Sequence, residues 1–256
     1  MEFPLSKSVF HLGLNQAQVS SIDLALIPGD PGRVPKIAKH LEKVQELAYV
    51  REFCSMRGTY AGKNILVCST GIGGPSAAIC VEELAMLGIK RFLRIGTTGA
   101  LQDAIEPGDI IVPTAAVRMD GASQHMAPLA YPAVADFRLV QKLVQGLDAK
   151  GYRYHLGISA SSDTFYQGQS RTDSFQKGFV HQEMANRFQE LKALHVLSFE
   201  MEAATLFTQC ATYGLSAAAV LGVLLNRNRN EFPSAQAMVE TEERVIQAAL
   251  SCIALL

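Results

Sequence analysis

The sequence predicts a single α/β domain spanning residues 1–256, with a largely parallel central sheet covered by helices on both faces. Three observations lead there. Short apolar runs alternate with amphipathic stretches along the whole chain. Glycine-rich or polar turns follow several of these runs. A chain of 256 residues, 48% apolar and 18% charged, can bury one large core.

The elements follow in order. Residues 22–27 are an apolar run entering Pro28-Gly29-Asp30-Pro31-Gly32, a buried strand that ends in a loop. Asp30 could cap a helix with Pro31 at its first position. Pro35 would then sit deeper and lose a backbone bond, which moves the helix start toward Arg33. Residues 64–69 are the next strand, followed by Gly71-Ile72-Gly73-Gly74-Pro75-Ser76 and a helix over 77–87. Proline near its start and Gly88 behind its end give the expected asymmetry. A strand over 90–95 enters Gly96-Thr97-Thr98-Gly99, and 109–117 is another strand. Phe137, Val140, Leu143, Val144 and Leu147 have helical spacing, closed by Gly151. A strand over 154–160, a polar loop, a helix near 184–193 and a short strand over 196–199 follow. A helix from Glu202 to Tyr213, a strand over 216–225 and an amphipathic helix over 235–255 complete the chain.

Composition narrows the function. Lys and Arg number 23 against 24 Asp and Glu, so net charge gives no case for nucleic acid or an anionic membrane as partner. The five cysteines form no C-x-x-C pair, which points to a reducing compartment. The histidines show no metal-ligand spacing, arguing against zinc. The start of the chain lacks a basic-then-apolar pattern, and the longest apolar run, 217–225, is too short to span a bilayer. The expectation is a soluble, cytoplasmic protein.

The unusual residues gather where strands end. The turns Gly29-Asp30-Pro31-Gly32, Gly71 to Gly74, Gly96 to Gly99 and Ser161-Ser162-Asp163-Thr164 each read singly as a tight turn. Four at one sheet edge read as a site, because glycine lets backbone N–H groups approach an anion. None matches a P-loop or a clean G-x-G-x-x-G. Arg94 lies in the otherwise apolar run Phe92-Leu93-Arg94-Ile95. Buried there, it needs a carboxylate or an anionic ligand; at a strand tip, it could reach solvent. Arg33 and Thr97 could join it in a phosphate site. Glu202 suits a helix start through the dipole, or could accept bonds from sugar hydroxyls. Phe165, Gln169 and Arg171 lie in a polar loop over 162–173, which is either a solvated surface or a set for stacking on and bonding a pyrimidine.

Taken together, Ile27-Pro28-Gly29-Asp30-Pro31, Ser69-Thr70-Gly71-Ile72-Gly73-Gly74-Pro75-Ser76 and Leu93-Arg94-Ile95-Gly96-Thr97-Thr98-Gly99 resemble the pyrimidine branch of the nucleoside phosphorylase family. Val9-Phe10-His11-Leu12-Gly13-Leu14, Arg118-Met119-Asp120-Gly121-Ala122-Ser123, Ser161-Ser162-Asp163-Thr164-Phe165-Tyr166, Phe199-Glu200-Met201-Glu202 and Val223-Leu224-Leu225-Asn226-Arg227 extend the resemblance from Val9 to the last helix. It implies a nucleoside phosphorylase-like fold and reversible cleavage of uridine by phosphate to uracil and ribose 1-phosphate, with phosphate as co-substrate and no required cofactor. It implies catalytic roles for Arg94, Gln169 and Arg171, and phosphate binding by Gly29, Arg33, Arg94 and Thr97 with Arg51 of a neighbouring subunit. Phe165, Gln169 and Arg171 would hold the base, with Arg227 supporting that end. Met201, Glu202 and a neighbour's His11 would hold ribose. The resemblance further implies a hexamer built as a trimer of dimers, with potassium near Glu52, Ile72 and Ser76 at the dimer interface.

The chain departs from the family pattern at Gln167, Ser170 and Thr172, where Pro, Glu and Tyr are usual. Residues 177–188 also diverge and read as a flap over the site. A purine phosphorylase would carry Ser-Asp where this chain has Asn226-Arg227. A nucleoside hydrolase would not need Arg33, Arg94 and Thr97 together. A non-catalytic nucleoside sensor would bind without phosphate-dependent turnover.

Overall fold

The computed structural model describes residues 7–176, 179–229 and 232–256. Residues 1–6, used in the targeting reading, and residues 177 and 178 of the divergent segment lie outside the described residues.

A ten-stranded mixed sheet forms the centre. Its parallel members are β1 (Leu24–Pro28), β4 (Lys63–Cys68), β5 (Arg91–Ala100), β6 (Ile110–Met119), β8 (Tyr154–Ser162) and β10 (Ser216–Asn226), together with the short β9 (Ser198–Glu200). Antiparallel pairing comes partly from a hairpin of β2 (Glu42–Val50) and β3 (Phe53–Tyr60), which extends the sheet beyond β4. The two-residue β7 (Ala133–Val134) pairs antiparallel with β6.

Alternation along each central strand separates two cores. Ala25 and Ile27 of β1 face one side with α3 (Gly74–Met86) and α7 (Ala203–Thr212), through Val81, Leu84, Leu206 and Phe207. Leu24 and Leu26 face the other with α2 (Arg33–Ala38), α4 (Phe137–Ala149) and α8 (Ala235–Ile253), through Ile37, Leu143, Ile246 and Leu250. Each fully buried Leu, Ile or Phe stabilises the fold by about 1.5–3 kcal/mol. Helix α2 starts at Arg33, as read from the sequence, so Pro35 lies in the first turn where no intrahelical bond is lost. Asp136 caps α4 by accepting from the Leu139 N–H at 3.0 Å.

Two corrections concern element boundaries. Gly96-Thr97-Thr98-Gly99 is not a turn but the second half of β5. A Cβ at Gly96 would stand 2.8 Å from Leu221 Cδ2 and 3.4 Å from Arg94 Nε, so this glycine admits close neighbours instead of reversing the chain. The helix expected near 184–193 is two pieces, α5 (Gln182–Ala185) and α6 (Arg187–Ala193), broken at Asn186. A single turn, α1 (Gln16–Val19), precedes β1 and is closed by a capping box from Asn15 and Gln18.

The extra length of β5 has a topological effect. Its first half pairs with β1, and Gly99 and Ala100 pair with β9. Strand β10 runs beside β5 over its whole length and also meets β6, while β6, β8 and β9 are joined in turn. Strands β5, β10, β6, β8 and β9 therefore form a closed hydrogen-bonded circuit. Among the described residues, no helix is long and apolar enough to cross a membrane, and Cys54, Cys68, Cys80, Cys210 and Cys252 are all buried free thiols.

Candidate active site

One cavity of about 380 Å³ opens where the β1 loop, the second half of β5 and the β9–α7 junction meet. That volume suits a small organic ligand. Its walls include Gly29, Arg33, Ile72, Arg94, Thr97, Phe165, Gln169, Arg171, Met201 and Glu202, which the sequence had scattered over some 170 positions.

Cations mark one end. Arg94 is 5% exposed and lies against the loop after β1, since a Cβ on Gly29 would stand 3.7 Å from its Nη1. The buried-partner reading of Arg94 holds: its Nη2 is ion-paired with Glu202 Oε2. Its Nε lies 3.8 Å from Glu200, and Nε and Nη1 are buried with no hydrogen-bond partner among the described residues. Buried guanidinium N–H groups without partners are costly, and an oxyanion would satisfy them. Arg33 reaches the same cavity from the start of α2.

Two carboxylates stand in the middle. Glu202 accepts from the Gly73 N–H at 2.8 Å as well as from Arg94. Its neighbour Glu200 does the capping expected of Glu202. Glu200 Oε2 accepts from the N–H groups of Glu202 at 2.8 Å and Ala203 at 2.7 Å, while Ser161 bonds to Oε1 and also accepts from the Ala204 N–H. The start of α7 is thus satisfied without Glu202, whose carboxylate is left to the cavity.

Burial pushes the Glu200 carboxyl up to about 7. The Glu202 charge adds to the rise, while Arg94, Ser161 and the Glu202 N–H oppose it. In an unfolded chain a glutamate ionises near ~4.3. Between that value and about 7 the folded protein holds the extra proton, so this group's contribution to stability falls as pH rises through the window. Glu200→Gln mimics the protonated form and should flatten that fall. Urea midpoints at about pH 5 and about pH 8 should drop further in the parent than in the variant. Equal drops would mean that Glu200 titrates as an ordinary carboxylate.

The polar loop forms another wall. Arg171 lies over the Phe165 ring at 4.0 Å and 3.4 Å from Asp173. Gln169 is buried at 3% exposure and its backbone carbonyl accepts from Arg227 Nη1. Arg227 does not line the cavity but anchors the loop from below, beside Phe188 and Phe199. Ser170, one of the departures, takes a positive φ of 52° and donates to the Met184 carbonyl at 2.6 Å, tying the loop to α5.

Four sequence-derived site residues lie away from this cavity. Arg51 is exposed in the β2–β3 turn. His11 bonds through Nδ1 to Glu83 Oε1 at 2.7 Å. Glu52 and Ser76 bond to each other at 2.8 Å in a separate recess, which Ile72 and Gly29 share with the main cavity. Hydrogen bonds from its own backbone and from Ser76 hold the Glu52 carboxyl below its ordinary range. Sequence reasoning gave no role to Glu200 or Phe232, both of which shape or support the site. For Glu200 a readable signal existed: a carboxylate just before a helix start, next to one already singled out.

A family model described as "Phosphorylase superfamily" matches residues 23–256. The uridine phosphorylase of Escherichia coli (strain K12) is 51% identical over 244 residues, covering 95% of this chain and 96% of that protein. The uridine phosphorylase of Haemophilus influenzae is 48% identical over 243 residues, covering 95% and 96%. A guanosine phosphorylase of Halorubrum lacusprofundi is 38% identical over 213 residues, covering 83% and 81%.

Proposed function

The chain belongs to the phosphorylase superfamily, and from that premise we propose that its cavity splits uridine with inorganic phosphate to give uracil and ribose 1-phosphate. The chain is an enzyme of the pentosyltransferase class. One observation carries the choice of reaction: the walls of a single cavity include Arg33, Arg94 and Thr97 together with Gln169, Arg171, Met201 and Glu202.

The chemistry follows from that set. Phosphate held by Gly29, Arg33, Arg94 and Thr97 attacks C1′ from the face opposite the base. The C1′–O bond forms, the C1′–N1 bond breaks with inversion, and the bonding pair leaves with the ring as the uracil anion, which takes up the proton that phosphate gives up. The sugar passes through an oxocarbenium-like state, as at other glycosidic carbons. Gln169 and Arg171 stabilise the charge on the departing ring, Phe165 stacks on it, and Arg227 holds the loop that carries them. Glu202 and Met201 hold the ribose. Holding both reactants in one cavity removes much of the entropic barrier. A purine reading is disfavoured: where that branch carries Ser-Asp, with the Asp protonating the purine, this chain has Asn226-Arg227, and Arg227 is a cation that donates to the Gln169 carbonyl.

The assembly belongs to the same proposal. Arg51 and His11 lie outside this chain's cavity, which fits their delivery to a neighbouring subunit's phosphate and ribose in a trimer of dimers. An active species sedimenting at 27.7 kDa would remove that assembly. Glu52, Ser76 and the Ile72 carbonyl are an all-oxygen donor set that suits a hard monovalent cation such as potassium, supplying charge balance between subunits. Exchanging potassium for tetramethylammonium should lower the Tm; an unchanged Tm would remove the ion. Buried free thiols support a cytoplasmic location.

The test is cleavage of uridine with and without phosphate, with inosine and thymidine in parallel. Uracil and ribose 1-phosphate should form only with phosphate. Free ribose formed without phosphate would make the chain a hydrolase, and binding without turnover would make it a sensor.

A further inference from the structure

The cation end of the cavity has a support on a distant helix. Arg33 Nε donates to Glu242 Oε1 at 3.0 Å, and Arg33 Nη1 donates to the Ile95 carbonyl at 3.1 Å. Two sides of the planar guanidinium are therefore fixed, one by α8 and one by β5. Nη2 has no hydrogen-bond partner among the described residues, and Arg33 itself lines the cavity. The other oxygen of Glu242 is held by Lys36 Nζ at 2.8 Å, one turn along α2. The Glu242 side chain is 13% exposed, so this is a fixed contact and not a mobile surface pair. Nothing in the sequence linked Glu242 to Arg33, 209 positions apart.

We propose that Glu242 is a positioning residue for phosphate: it aims the Arg33 guanidinium at the anion and offsets part of its charge. This rests on the phosphorolysis reading above. Without Glu242, the long Arg33 side chain keeps its Ile95 bond but loses the contact that fixes its rotation. The cost falls on phosphate, because Glu242 meets the site through Arg33, whereas the base is assigned to Gln169 and Arg171 on the loop after β8. Hydrogen bonds from Lys36 and Arg33 keep the Glu242 carboxyl below its ordinary range against the opposing effect of burial, so the pair stays charged through the neutral range.

The test compares steady-state kinetics of the intact protein and its variants. Glu242→Ala should raise the KM for phosphate about tenfold and change the KM for uridine less than about twofold. Glu242→Gln keeps an oxygen that accepts from Arg33 Nε and should recover most of the phosphate KM. Lys36→Ala removes the other cation from Glu242 and should leave the phosphate KM within about twofold of the parent. Equal rises in both KM values, an unaltered phosphate KM, or an effect of Lys36→Ala as large as that of Glu242→Ala would each overturn the proposal. If Glu242→Ala does not fold, Glu242→Asp replaces it: the carboxylate is withdrawn by one methylene, and the same selective rise is expected. Calorimetric titration of parent and variants with inorganic phosphate separates the two readings. A parent that binds phosphate without turning uridine over overturns the activity but still reports on Glu242 through the variants' affinities. A parent that does neither overturns both.

Discussion

Arg94→Ala should lower phosphate-dependent cleavage of uridine by about 10²–10³-fold in kcat/KM, the range seen when one preorganised oxyanion donor is lost. The expectation rests on burial. Arg94 is 5% exposed, and two of its nitrogens have no hydrogen-bond partner among the described residues. In water those N–H groups would be solvated at no cost. Here they are satisfied when an anion binds, and that gain is available to the reaction. A second consequence separates this arginine from a surface one. Its removal leaves Glu200 and Glu202 side by side in the interior without their cation. Breaking a buried pair in this way costs about 3–5 kcal/mol. The single variant should therefore be less stable as well as slow. Arg94→Ala combined with Glu202→Gln should regain stability, as read by urea midpoint, without regaining phosphate use. If Arg94→Ala keeps the parent's dependence on phosphate concentration, Arg94 has no part in binding that anion.

Gln169→Ala should lower kcat/KM for uridine by about 10²-fold or more, because a site built to hydrogen-bond its ligand loses heavily when one partner is removed. The loop should survive the change. Arg227 holds the backbone carbonyl of Gln169, not its side chain, and the Arg171 N–H donates to the Tyr166 carbonyl at 2.8 Å. Truncation thus removes the amide and leaves Arg171 where it was. The KM for phosphate should move little, in contrast to the Arg94 and Glu242 variants. Equal turnover of uridine by Gln169→Ala and parent would sink the assignment of this loop to the base.

The strands of the two central cores were legible because their residues alternate or run apolar, and the helices because their apolar positions recur at helical spacing. The β2–β3 hairpin was not. Its outer strand begins Glu42-Lys43-Val44-Gln45-Glu46 and is mostly exposed, so neither face carries a hydrophobic signal. Its turn uses Arg51 at a φ of 55°, where a readable hairpin would show Asn or Gly. The turn expected at Gly96 to Gly99 failed for the opposite reason. Glycine signals both a reversal and a close approach, and here neighbours from β10 decide the matter. Among site residues, the base set of Phe165, Gln169 and Arg171 is local in sequence, and the anion set was found as two separate motifs, one around Gly29 and Arg33 and one around Arg94 and Thr97. The Arg33–Glu242 contact joins the first third of the chain to its last helix, and no spacing rule reaches that far.

The closed circuit of strands divides the labour of the enzyme. A member of a ring cannot slide in register without breaking bonds on both sides, so Arg94 and Thr97 on β5 and the carboxylates Glu200, at the end of β9, and Glu202, just beyond it, are set at a fixed separation. The loop over 162–173 hangs from the end of β8 and is bound by no such ring. Gln167, Ser170 and Thr172, where this chain leaves the family's pattern, all lie in that loop. Substitution at those three positions leaves Gln169 and Arg171 in the chain, so it can retune how the base is seated while the groups assigned to bond breaking remain. The ring sets distances, and the loop leaves room to adjust fit.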